Sequence, residues 1–480
     1  MATSNTSKLH IAMLPWFATG HMTPFLQLSN ELAKRGHKVS FFLSPKAQLE
    51  LQHMNYYPKI ITFHTLTVPH IDGLPLGTET ASEIPIGINN LLQIAMDKTS
   101  DQVELALSKI KPDFLFFDHA HWIPEIANKY GIKTIFYHVM CAASIAIKFV
   151  PAKNVPRDRL MTLEELGQLP DGYPSSKVVL LGPEAIPMDY IQISFGEGNM
   201  TFHDRLTMAL KQSDVIAIRT TREIKEGSFC DYIAAQYQKP VLLTGPVLPE
   251  EAYKGELEAH WAKWLDGFEP ASVVFCAFGS QVNLKKEQFQ ELLLGFELSG
   301  FPFFIALKTP LGCASVDEAL PEGFEERVKG RGVVARDWVQ QPLILKHPSV
   351  GCFVSHCGFG SMWESLMSDK KIVLVPFLAD QALNAKLLVE ELEVAVSVER
   401  GKHWRDLITK ESFCKAIKSV MDEESDLAAR LKNNHAKFKE LLGNPALMNG
   451  YIDSFIQDLQ QLLVYVMVCS SIDLEHCVLL

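Results

Sequence analysis

Short apolar runs alternate with segments of helical period along most of this chain, and that alternation constrains the fold more than any other feature. "KLHIAMLPW" leads into turn residues, "ATGHMTPF". A helix-period stretch with a glycine at its end, "LQLSNELAKRGH", and a second apolar run, "KVSFFLSP", follow. "PDFLFFD", "WIPEIANKYG" and "KTIFYHV" repeat the rhythm. A second series opens near Ser272 with "SVVFCAFGS", and "FPFFIAL", "GVVAR", "VGCFVSH" and "KIVLVPF" continue it. Between the first two of these, Phe289, Leu292, Leu293 and Phe296 recur at the spacing of one helix face. Strands alternating with helices make βαβ units and parallel sheets. The expected fold is therefore α/β, with two doubly wound parallel-sheet domains facing a cleft. "KPVLLTGPVLPEEAYKGE", with three prolines and a turn, is the expected linker. The expected division is residues 1–240, a linker at 241–270, a second domain at 271–455, and a C-terminal helix and tail at 456–480.

Composition excludes several function classes. At 480 residues and 47% hydrophobic content, the chain can form two or three full cores. Its formal net charge is −11 and no Lys/Arg block stands out. Nucleic acid is thereby disfavoured, because phosphate neutralisation needs clustered basic residues. The nine cysteines are scattered, odd in number and without a C-x-x-C, the pattern of reduced thiols in a cytosolic protein. No basic n-region precedes an apolar core at the N-terminus, and the run Leu462 to Cys469 is too short to span a bilayer. A cytoplasmic protein, monomeric and with no stable membrane span, is expected.

One loop asks for a ligand. In Ser355 to Leu366, "SHCGFGSMWESL", an apolar run ends in small residues and feeds a helical pattern. Such a loop presents free backbone N–H groups at the positive end of a helix, which suits an anion and above all a phosphate. His356 and Ser361 can add side-chain donors. A plain tight turn is the alternative at this level. A dinucleotide fingerprint is disfavoured, because the third glycine position of G-x-G-x-x-G is Trp363. No P-loop motif occurs. Cys352, His356 and Cys357 lie close in sequence but lack a second ligand pair, so no metal is expected.

The stretch from Trp338 to Gln381, "WVQQPLILKHPSVGCFVSHCGFGSMWESLMSDKKIVLVPFLADQ", closely resembles the signature box of plant family 1 UDP-sugar glycosyltransferases. "GHMTPFLQLSNELAKRGH", "DFLFFDHAHWIPEIA" and "FGSQ" are similar to the same family, so the resemblance reaches from the N-terminus to about residue 460. It implies two Rossmann-like domains in the GT-B arrangement. Carried onto this chain, it implies that Trp338 stacks on uracil and Gln341 approaches the uracil or ribose. His356, Ser361 and Ser280 would bind the diphosphate in a loop shaped by Gly358 and Gly360. Glu364 would accept the ribose hydroxyls, and Asp380 and Gln381 would bind those of the donor sugar. The box departs from its commonest form, which has Trp-Asn where this chain has Phe359-Gly360. "HCGFGS" resembles the sub-branch that adds a sugar to a sugar already attached, notably on flavonoid and anthocyanin 3-O-glycosides.

The acceptor side reads from two residues. His21 follows the first strand and Asp118 ends the strand "DFLFF", both at carboxyl ends, where α/β sheets place their sites. A histidine positioned by an aspartate can take a proton from an acceptor hydroxyl. The resemblance implies these same roles, with inversion at the anomeric carbon. His119, His121, Trp122 and Phe359 are expected to line the acceptor pocket. The expected donor is UDP-glucose or UDP-xylose, with UDP-rhamnose a third candidate and no cofactor. The runner-up acceptor is a triterpenoid or steroidal saponin glycoside. A non-catalytic UDP-sugar binder is the alternative of another class, and the presence of both His21 and Asp118 argues against it. The chain closes on Cys477-Val478-Leu479-Leu480, which fits a prenylation pattern at Cys477 without polybasic support.

Overall fold

Strands that are apolar along nearly their whole length must be covered on both faces, and this chain builds two sheets around central strands of that kind. The computed structural model describes residues 8–248 and 255–471. In the first sheet lie β1 (His10–Leu14), β2 (Lys38–Leu43), β3 (Ile61–Thr65), β4 (Phe114–Phe117), β5 (Lys133–His138), β6 (Val215–Ile218) and β7 (Val241–Leu243). Their spatial order is β3-β2-β1-β4-β5-β6-β7, and every neighbouring pair is parallel. The second sheet holds β8 (Val273–Ala277), β9 (Phe303–Ala306), β10 (Gly332–Ala335), β11 (Val350–Ser355), β12 (Lys371–Leu374) and β13 (Ala395–Ser397). It is also parallel, in the order β10-β9-β8-β11-β12-β13. The period-2 alternation of β4 sends Phe114 and Phe116 into one core and Leu115 and Phe117 into the other. In each sheet the chain steps outward from its first strand and then reverses. The crevices left by that reversal lie between β1 and β4 and between β8 and β11, and such switch points are where α/β sheets bind ligands.

The helices follow the apolar periods. Lys286–Ser299 buries Phe289, Leu292, Leu293 and Phe296 together, as the spacing requires. Helix α1 (Thr19–Lys34) begins earlier than the sequence suggests, so His21 lies in its first turn and not ahead of it. Within the stretch expected as a linker, Val241–Leu243 is the edge strand of the first sheet. The helix Ala259–Leu265 already belongs to the second unit, with the rings of Trp261 and Trp264 at 4.7 and 5.9 Å from Phe304. The C-terminal helix Pro445–Ser471 starts before residue 456 and crosses back to the first sheet. There Phe455 meets Phe116 edge-on at 6.0 Å and Arg35 Nε donates to Asp453 at 2.6 Å. Cys477 lies outside the described residues.

The two units are also tied directly across the cleft. Lys386 pairs with Glu184 at 2.9 Å and Arg405 with Asp189 at 3.6 Å. Lys308 Nζ donates to the carbonyls of Ser280, at 3.0 Å, and Ser82, at 3.2 Å, one on each side. A single buried apolar cluster runs from Trp16 and Phe17 through to Phe359 and Trp363. Among the described residues no helix is long and apolar enough to cross a membrane.

Gly351, inside β11, tests how tightly β11 is enclosed. A Cβ there would sit 1.9 Å from the Ala271 carbonyl oxygen, a backbone atom that cannot swing aside. Gly351→Ala is expected to cost about 1–3 kcal/mol, read as a lower midpoint in urea or thermal unfolding.

Candidate active site

The turn after β1 is held by one carboxylate. Asp118 follows β4 directly and is 2% exposed. Its Oδ1 accepts the backbone N–H of Trp16 and its own neighbour's, His119, both at 2.7 Å. Its Oδ2 is 2.6 Å from His21 Nδ1. Burial alone would raise this carboxyl, but His21, His119 and the backbone donors outweigh it and hold it below its ordinary value. An ionised carboxylate only accepts, so Nδ1 of His21 carries the hydrogen and Nε2 is left as a base. His119 stacks on Trp16 at 5.2 Å and meets His21 edge-on at 5.1 Å. Burial depresses its imidazole to about 3, so it is a neutral wall and not a second acid.

The other expected acceptor-side residues divide. His121 Nδ1 lies 3.2 Å from the buried Arg205, and Trp122 Nε1 donates to Asp97, which also binds Arg205 at 2.7 Å. Their polar atoms are thus engaged in a structural network behind His119. Phe359, also expected at the acceptor pocket, is only 5% exposed and packs edge-on against Trp363 at 5.8 Å. As the first residue of helix α2 (Phe359–Met367) it anchors the loop from below. Phe202 and Tyr190 join this side without any motif to mark them. Phe202 meets His119 at 5.4 Å and Tyr190 at 5.3 Å, extending the aromatic wall from Trp16. Both rings come from segments between β5 and β6 in which the sequence shows no site signal.

Across the cleft, the β11–α2 loop lies at the second switch point. His356 is buried, and its Nδ1 has no partner among the described residues. Burial lowers it to about 4, against a hydrogen bond to the Ala277 backbone, so at neutral pH the ring is uncharged. Two glycines make room for its ring. A Cβ at Gly358 would lie 2.5 Å from Nε2, and one at Gly279 would lie 3.0 Å from it. Gly279 also needs its positive φ of 64° to turn the chain after β8, ahead of Ser280. Gly360 faces open space, and a Cβ placed there would have nothing within 4 Å. Cys357 takes a left-handed φ of 64°, rare for a residue with a Cβ. Asn384 Nδ2 donates to its carbonyl at 2.8 Å, a contact that no sequence motif announced.

The remaining expected residues surround this loop. Trp338 is 78% exposed, an indole left in water as a free stacking face. Gln341 reaches Glu364 through its side chain, Nε2 to Oε2 at 2.5 Å, and Ser361 at 3.4 Å. Burial raises the Glu364 carboxyl, against Gln341 and Arg219. On helix α3 (Ala379–Lys386), Gln381 Oε1 accepts the backbone N–H groups of Phe377 and Leu378 at 2.9 and 3.1 Å. Only its amide N–H₂ is thus left to serve a ligand. Asp380 accepts no hydrogen bond from the described residues, leaving its carboxylate open to hydroxyl donors. Cys352 is buried with its thiol pushed up to about 12. Among the described residues no three His, Cys, Asp or Glu side chains are grouped to hold a metal ion.

Comparison with known proteins gives a consistent result. Residues 315–436 match the family model described as UDP-glucoronosyl and UDP-glucosyl transferase. UDP-glycosyltransferase 79B3 of Arabidopsis thaliana is 55% identical over 460 residues, 95% of this chain and 98% of its own. The anthocyanidin 3-O-glucoside 2'''-O-xylosyltransferase of the same plant is 52% identical over 463 residues, covering 96% and 98%. In fold, the chain is similar to the crystal structure of Arabidopsis thaliana UGT89C1 complexed with UDP-L-rhamnose. The TM-score is 0.74 at 23% identity, over 95% of this chain and 100% of that one.

The buried histidines set a pH dependence. His138 is held at about 3 by burial and His356 at about 4, both below an unfolded value of about 6.5. Between those values the unfolded chain binds more protons than the native one, so stability falls as pH falls. The melting temperature is expected to drop from about pH 7 to about pH 5. His138 bonds Ser144 Oγ at 2.8 Å, which a glutamine can imitate, so His138→Gln should show a shallower slope in the same melts.

Proposed function

This chain belongs to the family of UDP-dependent glycosyltransferases, and from that premise we propose that its two facing switch points divide an inverting O-glycosyl transfer between them. Trp338 stacks on the uracil and Glu364 accepts the ribose hydroxyls, displacing Gln341. His356, Ser280 and Ser361 donate to the diphosphate together with the free amides of the first turn of α2. Asp380 accepts from the donor-sugar hydroxyls, and Gln381 donates to that sugar through its remaining N–H groups.

The observation that carries this reading is the His21–Asp118 pair, 2.6 Å apart, at the start of helix α1, which packs against helix α2 with its unpaired first-turn amides. The acceptor hydroxyl oxygen attacks the anomeric carbon from the face opposite UDP. Its proton passes to His21 Nε2, and Asp118 stabilises the imidazolium that forms. The bond from the anomeric carbon to the phosphate oxygen breaks, and UDP leaves with the electron pair. The configuration inverts, and no metal or cofactor enters the scheme.

The acceptor is a hydroxyl of the sugar on a flavonoid or anthocyanin 3-O-glycoside, and the donor is UDP-xylose or UDP-glucose, with UDP-rhamnose third. Two observations support the acceptor. A relative 52% identical over nearly the whole chain is named for xylosyl transfer to an anthocyanidin 3-O-glucoside. The partly buried rings of His119, Phe202 and Tyr190, backed by the buried Trp16, lie beside His21 and offer flat faces that suit a planar aglycone.

UDP release by the purified chain tests the scheme. Each of the three donors is paired with a flavonol aglycone, its 3-O-glucoside and a saponin monoglycoside. Release is expected with the flavonoid glucoside and a single preferred donor. Release confined to the aglycone or to the saponin would overturn the acceptor assignment. His21→Ala should lower kcat on the order of 10²–10⁴-fold, with donor KM little changed. Trp338→Ala should instead raise donor KM about tenfold or more, the worth of one base stacked on an aromatic ring.

A further inference from the structure

The reaction above makes no use of Asn384, yet three features meet at the peptide group it touches. Its side chain is fully buried, its Nδ2 donates to the Cys357 carbonyl at 2.8 Å, and its Oδ1 is buried with no partner among the described residues. The reversed amide would set two oxygens against each other, so the orientation follows from the carbonyl it faces. One buried oxygen is left unpaired in order to hold that carbonyl, a strong local preference for this geometry.

Cys357 needs holding, because its left-handed φ of 64° crowds a Cβ against the backbone. Its N–H is bonded to Ser355 Oγ at 3.2 Å, so the residue is fixed from both sides. In a trans peptide the C=O and the following N–H point in opposite directions. Pinning the Cys357 carbonyl against α3 therefore turns the Gly358 N–H the other way. That N–H makes no backbone hydrogen bond among the described residues. It stands just ahead of the Phe359, Gly360 and Ser361 amides, which the first turn of α2 leaves free.

We propose that Asn384 is a positioning residue: by holding Cys357 in the left-handed conformation, it aims the Gly358 amide at the donor's diphosphate. It also links two subsites, since Asn384 lies one helical turn after Asp380 and Gln381 on the same helix. The inference rests on the reading of the β11–α2 loop as the diphosphate site.

Calorimetric titration of the full chain with uridine and with UDP tests it, because only UDP carries phosphates. The wild type is expected to prefer UDP strongly. Asn384→Leu keeps the volume and removes the N–H donor. It should weaken UDP binding about 5- to 20-fold and leave uridine binding within about twofold. Asn384→Ala is measured beside it in case the leucine disturbs folding. In a Cys357→Gly background the left-handed conformation carries no Cβ penalty, so Asn384→Ala should lose less UDP affinity there than alone. Equal losses for uridine and UDP, or unchanged UDP affinity, would overturn the positioning role. A wild type that binds uridine as tightly as UDP would instead remove the diphosphate reading, and the inference with it.

Discussion

The buried carboxylate of Asp118 is the interaction on which the first switch point depends. It has to stay ionised in a dry place, and it does so only because three donors converge on it: two backbone N–H groups and His21. Those donors belong to the β1 loop, the β4 loop and the first turn of α1. One group thus fixes the geometry of three segments and the tautomer of His21 at once. The adjacent strands β1 and β4 bring these segments together because the sheet reverses direction between them.

The second switch point is built by the same topology with different chemistry. Between β8 and β11 the second sheet reverses, and the loops after both strands meet at the His356 ring. Here the polar groups are uncharged. His356 is kept uncharged by burial, and free amides at the start of α2 supply the rest. Helix α2 is fixed at both ends. Asn384 holds the turn before it, and His435 Nε2 donates to the carbonyls of Ser365 and Leu366 at its last turn, at 3.0 and 3.2 Å. Amides held in this way keep a fixed direction, because they cannot reorient as water does.

The two halves function together only if they face one another. The C-terminal helix crosses back to pack Phe455 on Phe116, and ion pairs such as Lys386–Glu184 span the cleft. Exposed pairs of that kind contribute little individually. The continuous apolar cluster from Trp16 to Trp363 stabilises the facing arrangement more, since burial scales with the area removed from water.

By itself the sequence determined the class of fold and named most of the residues of the candidate site. Continuous apolar runs separated by helical periods permit little besides parallel sheets, and a glycine-rich turn between strand and helix carries its own chemistry. His21, Asp118 and His356 stood out as candidates because each sits at the end of an apolar run, while Glu364 and Asp380 were marked only by the resemblance of the stretch from Trp338 to Gln381 to a known signature. Tertiary structure alone decided the rest. It set Phe359 into the core, tied His121 and Trp122 to Asp97 and Arg205, and committed the Gln381 oxygen to capping its own helix. It also began α1 before His21 and made an edge strand of part of the expected linker. Phe202, Tyr190 and Asn384 had no readable signal, because each acts through a partner distant along the chain. Periodicity reports which face of an element is buried, and only packing reports what that face meets.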